Sequence, residues 1–216
     1  MNNEQLLFQS CLGVVLAGGK SSRMGKDKAH LQRNQQDMLS YSKALLKNAG
    51  SSQVVVSGDA HGVSDIVSNI GPLGGIQTVI NQFKPKALLI LPVDLPLMTA
   101  TELAKLKQIG ELSQSACFFV DNYLPLYLPV NAFVEQFFQQ PLPAKKLLST
   151  PDNSSKKQSI ANGKRGLAGP SVRSLLNQIP HKAIQAKNPN SLFNTNTPEQ
   201  WQQAQHLLSL QRKTHV

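Results

Sequence analysis

Gly13-Val14-Val15-Leu16-Ala17-Gly18-Gly19-Lys20-Ser21-Ser22-Arg23-Met24-Gly25-Lys26-Asp27-Lys28 is the stretch on which the reading of this chain turns. Val14 to Ala17 is a short apolar run of the kind that forms a buried strand. Gly18-Gly19 follows, where backbone without Cβ atoms can turn sharply and approach a ligand closely. Lys20, Arg23, Lys26 and Lys28 are then interleaved with Ser21, Ser22 and Gly25. Exposed N–H groups and cations at the carboxyl end of a strand are a physical arrangement for holding phosphates. The generic phosphate motifs do not fit. Five residues separate Gly19 from Gly25, and Asp27 rather than Ser or Thr follows Lys26, so this is no P-loop. The G-x-G-x-x-G spacing of dinucleotide folds is absent too.

Working outward, Met38, Leu39, Tyr41, Ala44, Leu45, Leu46 and Ala49 recur at helical spacing, with Gly50 as the stop. Gln53 to Ser57 and Ala87 to Leu91 read as buried strands, and Pro72 opens a helix through Ile76, Val79, Ile80 and Phe83. Strands alternating with helices call for a mostly parallel α/β sheet covered on both faces. Thr99 and Glu102 have capping-box spacing for the next helix. Ser115–Val120 and Leu124–Leu128 read as two strands joined at Asp121-Asn122, a hairpin or a mixed edge of the sheet, and Val130 to Phe138 as a helix. Val172, Leu175, Leu176 and Ile179 mark a short helix, and Trp201, Ala204, Leu207 and Leu208 the apolar face of one that starts at Pro198. From Gln140 to Gly166 periodicity gives way to Pro, Ser, Asn and Lys, the composition of a mobile loop.

The chain of 216 residues suits a single domain with a core of its own. No apolar run reaches membrane-spanning length, and the first ten residues lack the pattern of a secretory signal. Cys11 and Cys117 sit among apolar residues without ligand spacing, as small buried side chains of a reducing, cytoplasmic protein. The net charge of +10 is concentrated: residues 141–187 hold nine Lys and Arg against one acid. Such a block attracts anions. It contains no Phe, Tyr or Trp, so it lacks the stacking platform of single-strand binders. Small phosphorylated molecules fit it better than nucleic acid.

Open α/β sheets bind ligands at the carboxyl ends of their strands. Asp94, in Leu91-Pro92-Val93-Asp94-Leu95-Pro96, falls at such an end, between prolines that restrict the backbone. A carboxylate there suits Mg²⁺, which takes one or two carboxylates plus substrate phosphates; an ordinary turn aspartate is the plain alternative. Gly71-Pro72-Leu73-Gly74-Gly75-Ile76 puts three glycines around a helix start, either to receive a flat base or ribose or simply to let helix and sheet pack closely.

From Leu16 to Lys28 the chain matches L-A-G-G-x-S-x-R-M-G-x-D-K, and it resembles the molybdenum cofactor guanylyltransferase family of Rossmann-like nucleotidyltransferases. The resemblance covers nearly the whole length. Asp65 resembles the family's guanosine-binding aspartate before Gly71 to Ile76, Asp94 its magnesium aspartate, and Phe193-Asn194-Thr195-Asn196-Thr197-Pro198 its N-x-N-T-P run on the pterin side. The resemblance implies transfer of GMP from GTP to molybdenum-molybdopterin, with Mg²⁺ as cofactor. Leu16, Ala17, Gly18, Gly19, Lys28, Asp65, Gly74, Gly75 and Asp94 would bind the nucleotide; Lys28, Arg23 and Asp94 would carry catalysis. Arg165, Ser171, Arg173, Asn194 and Asn196 are the expected acceptor contacts. Molybdenum-insertion or apoenzyme-chaperone proteins are the expected partners; a membrane is not. Two departures stand out: Ser57-Gly58-Asp59 replaces the family's frequent asparagine after the second strand, and the 140–166 connection is longer and more basic. A relative using CTP or a sugar-phosphate acceptor is the alternative reading, and a non-catalytic nucleotide-binding protein a third.

Overall fold

The computed structural model describes residues 11–18, 27–58, 62–63, 71–140 and 170–213. A six-stranded sheet forms its centre. Strand β1 spans Cys11–Leu16, starting earlier than its apolar run suggests and ending one residue sooner. A 3₁₀ turn at Lys28–His30 and a two-residue hairpin, β2 (Gln32–Arg33) and β3 (Gln36–Asp37), lead into helix α1 (Met38–Asn48). The hairpin turns on Asn34 and Gln35, both at positive φ, and has no apolar face to announce it. Asp37 caps α1 by accepting from the Ser40 N–H at 2.8 Å, and Gly50, at φ 87°, follows its end as expected.

Next come β4 (Gln53–Ser57), α2 (Pro72–Phe83), β5 (Ala87–Pro92) and α3 (Ala100–Ser113). After them follow β6 (Ala116–Phe119), β7 (Asn122–Pro129), α4 (Ala132–Gln139), α5 (Val172–Leu176), β8 (His181–Ile184) and α6 (Pro198–Lys213). The spatial order is β4-β1-β5-β7-β6-β8. β1 runs parallel to β4 and β5, and β6 parallel to β8, whereas β7 is antiparallel to both its neighbours. The sheet is therefore mostly parallel with an antiparallel hairpin set into it. β8 escapes sequence reading because its residues are largely exposed and do not alternate.

Side chains alternate across the sheet. Cys11, Val15, Leu89, Leu91, Cys117 and Phe119 face α1 and α3 in one core. Leu12, Val14, Leu88, Ile90, Phe118 and Leu126 face α2, α4 and α5 in the other. Each such side chain contributes roughly 1.5–3 kcal/mol by leaving water, so register is fixed on both faces. Burial pushes the thiol of Cys11 up to about 12 and that of Cys117 up to about 11, in keeping with structural cysteines.

The Thr99–Glu102 box forms only by half. Thr99 accepts from the Glu102 N–H at 3.3 Å, but the buried Glu102 carboxylate accepts from the Asn188 N–H at 2.9 Å instead of turning back. A long-range backbone donor has displaced the local one, stapling the segment after β8 to the start of α3.

Candidate active site

In the order β4-β1-β5 the chain steps from β1 to β4 on one side and then back across β1 to β5 on the other, and this reversal is the switch point where such sheets open a crevice. The three strand ends are tied together: Ala17 N–H donates to Ser57 O at 2.9 Å, and Val93 N–H to Leu16 O at 3.1 Å. Gly58, at φ 147°, completes this rim. A Cβ there would meet the Gly18 nitrogen at 2.8 Å, so only glycine lets the two strand ends come together. Beside the rim lies a cleft of about 300 Å³, lined among others by Leu16, Ala17, Gly18, Lys28, Asp94 and Asn194.

Lys28 and Asp94 meet in this cleft. Asp27 caps the 3₁₀ turn by accepting from Ala29 N–H at 3.0 Å, which holds Lys28 at the start of that turn. The Lys28 ammonium donates to Asp94 Oδ2 at 2.9 Å and to Asn196 Oδ1 at 2.6 Å. Both partners of the ion pair are largely shielded, so their attraction is screened less than that of a surface pair. The second oxygen of Asp94, Oδ1, is buried without a hydrogen-bond partner among the described residues.

The segment that begins at Asp94 is held from two sides. Arg33 Nε donates to Pro96 O at 2.6 Å, with its guanidinium 3.8 Å above the Tyr41 ring, and Tyr41 Oη donates to Met98 O. From the other side Thr195, fully buried, donates to Asp94 O through its N–H at 3.0 Å and its hydroxyl at 3.1 Å. Sequence reasoning missed Arg33, Tyr41 and Thr195 in these roles. Tyr41 was legible only as one apolar position of a helix, and Arg33 lies in a patternless stretch.

The other expected site residues fare differently. Leu16, Ala17, Gly18, Lys28, Asp94 and Asn194 come together in the cleft, and Asn196 joins them through Lys28. Gly74 and Gly75 are buried in the first turn of α2, and of the surrounding run Pro72 reaches the cleft lining. Ser171 serves as the cap of α5, accepting from Ser174 N–H at 3.2 Å, and neither it nor Arg173 is among the cleft's lining residues. Gly19, Arg23, Asp65 and Arg165 lie outside the described residues, as does the expected loop from 141 onward.

The MobA-like NTP transferase domain matches residues 13–148, well over half of the chain. The chain belongs to that family. A molybdenum cofactor guanylyltransferase from Xanthomonas euvesicatoria pv. vesicatoria is 37% identical over 201 residues, covering 90% of this chain and 94% of its own length. Among solved structures, molybdopterin-guanine dinucleotide biosynthesis protein A from Archaeoglobus fulgidus superposes with a TM-score of 0.63 at 17% identity, over 92% of this chain and 98% of that one. A 2-C-methyl-D-erythritol 4-phosphate cytidylyltransferase from Thermus thermophilus gives 0.60 at 13% identity, covering 92% and 98%. At such identities the two structures speak for the fold, a Rossmann-like nucleotidyltransferase sheet, and the sequence relationship carries the family. No described helix is long and apolar enough to cross a membrane.

Proposed function

We propose that the chain transfers GMP from GTP to the terminal phosphate of molybdenum-loaded molybdopterin, giving the guanine dinucleotide cofactor and pyrophosphate. The observation that carries this reading is Lys28 held between Asp94 and Asn196 at the mouth of the switch-point cleft, in a chain so close to a named guanylyltransferase over nearly its full length. An oxygen of the acceptor phosphate attacks the α-phosphorus of GTP. The bond from that phosphorus to the β-phosphate oxygen breaks, and pyrophosphate leaves with the electron pair. Positioning and charge neutralisation make up most of such catalysis.

Lys28 supplies a cation to the phosphates as charge develops on them. The backbone at Ala17 and Gly18 leaves room for phosphates to lie against the strand end, and Arg23 is assigned to the leaving pyrophosphate. Asp65 with Gly74 and Gly75 is assigned to guanosine, and Asn194 to the acceptor. Arg165 completes the acceptor assignment as an anion contact; Ser171 and Arg173, which do not line the cleft, would reach the acceptor only outside it.

Asp94 is the residue that would hold Mg²⁺. Its Oδ2 is engaged by Lys28, while Oδ1 is buried and unpartnered among the described residues, as a carboxylate oxygen awaiting a hard cation would be. Mg²⁺ takes one or two carboxylates and draws its other ligands from phosphates and water. Bound there, Mg²⁺ would offset charge on the phosphate oxygens. The same reading puts the enzyme in the cytoplasm, passing its labile product to a molybdenum-insertion or apoenzyme-chaperone protein.

Pyrophosphate release from GTP and from CTP, each with Mg²⁺ and molybdenum-loaded molybdopterin, is the test. A nucleoside-reading polar group left unpaired by the wrong base costs about 1–3 kcal/mol, so kcat/KM should favour GTP at least ~5-fold. Equal values for both nucleotides would remove the guanylyl assignment and leave the family.

A further inference from the structure

We propose that Gln200 is a positioning residue for Lys28, acting through Asn196; the kinetic part of this inference rests on the guanylyl-transfer reading above. Thr197 and Gln200 begin α6 with capping-box spacing, and Thr197 Oγ1 accepts from the Gln200 N–H at 3.3 Å. In such a box the side chain three residues into the helix needs to take only one donor, the N–H of the cap residue. Gln200 Oε1 does take the Thr197 N–H, at 3.1 Å. It also takes the N–H of the preceding residue, Asn196, and that bond is the shorter of the two at 2.7 Å.

The second bond has no part in satisfying the helix end. It fixes the backbone of Asn196, the residue whose Oδ1 accepts from Lys28 Nζ at 2.6 Å. On its other side Asn196 follows Thr195, which is fully buried and doubly bonded to Asp94 O. The Asn196 backbone is thus anchored before and after, and its side-chain Oδ1 faces the ammonium. A lysine carries rotatable donors on a flexible four-carbon stem. Two fixed acceptors, Asp94 Oδ2 and Asn196 Oδ1, give that ammonium one direction. Gln200 therefore links the C-terminal helix to a cation 172 positions earlier in the chain.

The test compares Gln200→Ala and Gln200→Glu, each alone and with Asn196→Ala. Gln200→Ala should lower kcat ~5–10-fold while KM for GTP stays within about twofold, because the cation is displaced rather than removed. Gln200→Glu keeps an oxygen that accepts both N–H groups and should stay within about twofold of wild type. In the Asn196→Ala background Gln200→Ala should add less than about twofold, since residues acting through one another are not additive. Equal losses in both backgrounds, or no rescue by glutamate, would overturn the proposal and reduce Gln200 to a helix cap.

A second readout needs neither nucleotide nor acceptor. In ¹³C-lysine-labelled protein the two Hε protons of Lys28, held inequivalent by a fixed ammonium, should merge in Gln200→Ala and stay distinct in Gln200→Glu. Unchanged Lys28 resonances in Gln200→Ala would also overturn the proposal. A wild-type chain without turnover would count against guanylyl transfer alone, and the resonances would still decide the coupling.

Discussion

The cleft is built from two regions of opposite character. One is the opening unit, β1 with the turn that carries Lys28 and the strand end that carries Asp94. The other is the run from Asn194 to Gln200, which belongs to the far end of the chain. The opening unit is made rigid by the sheet: its strand ends are joined by backbone hydrogen bonds and lie on two packed cores. The C-terminal run has no strand of its own. Its place depends on one backbone bond, Thr195 N–H to Asp94 O, and a few side-chain bonds, Thr195 Oγ1 to Asp94 O, Lys28 to Asn196 and the Asn196 N–H to Gln200. The chemistry sits on the rigid region, and the second region aims it. Substitutions in the first should therefore abolish turnover, while those in the second should tune it.

The largest effect should come from Asp94→Asn. The amide keeps the size and the Thr195 contacts to the backbone oxygen, but loses the charge that faces Lys28 and would hold Mg²⁺. A loss of several kcal/mol of transition-state stabilisation is expected, a fall in kcat of ~100-fold or more. Circular dichroism should show an intact fold. Activity within about twofold of wild type would place the metal elsewhere and end the division of labour drawn here.

Lys28→Ala should follow, lowering kcat on the order of 10²-fold, as loss of a preorganised donor to developing charge does. The drop should be the same at every salt concentration, because the site is largely shielded. The basic block provides the contrast. Neutralising Lys145, Lys146, Lys156 and Lys157 together should reduce kcat/KM for the acceptor at low salt and matter little at high salt. Long-range steering fades once the Debye length falls to ~8 Å. Steady-state kinetics across a salt series separates the two. A quadruple variant that lost kcat equally at all salts would make the block part of the catalytic machinery.

The smallest effect sharpens the comparison most. Thr195→Val keeps the volume and the N–H bond to Asp94 O but deletes the 3.1 Å hydroxyl bond. It should cost about 1 kcal/mol of stability, a fall in Tm of ~2–4 °C for a chain of this size, and a few-fold in kcat. Should kcat fall as far as in Asp94→Asn, the C-terminal run would be as much a part of the chemistry as the strand end.

What the sequence determined by itself is the part where local pattern and local structure share one cause. The apolar runs of β1 and β5 are buried on both faces and that of the edge strand β4 is half-buried, so hydrophobicity alone reports them. Helix starts and stops such as Pro72 and Gly50 act within a turn of their own position, and Asp94 is marked as a site residue by the strand that ends beside it. β8 and the two-residue hairpin before α1 were not legible, because exposed residues on short strands leave no periodic signal. Only the tertiary structure decided which long-range partner wins. Glu102 leaves its own helix end for the Asn188 N–H, Arg33 and Tyr41 brace the segment after Asp94, and Asn196 takes the ammonium of Lys28. A buried polar group must find a partner wherever the fold supplies one. The identity of that partner is a property of how the strands are ordered in space, which no local window of sequence contains.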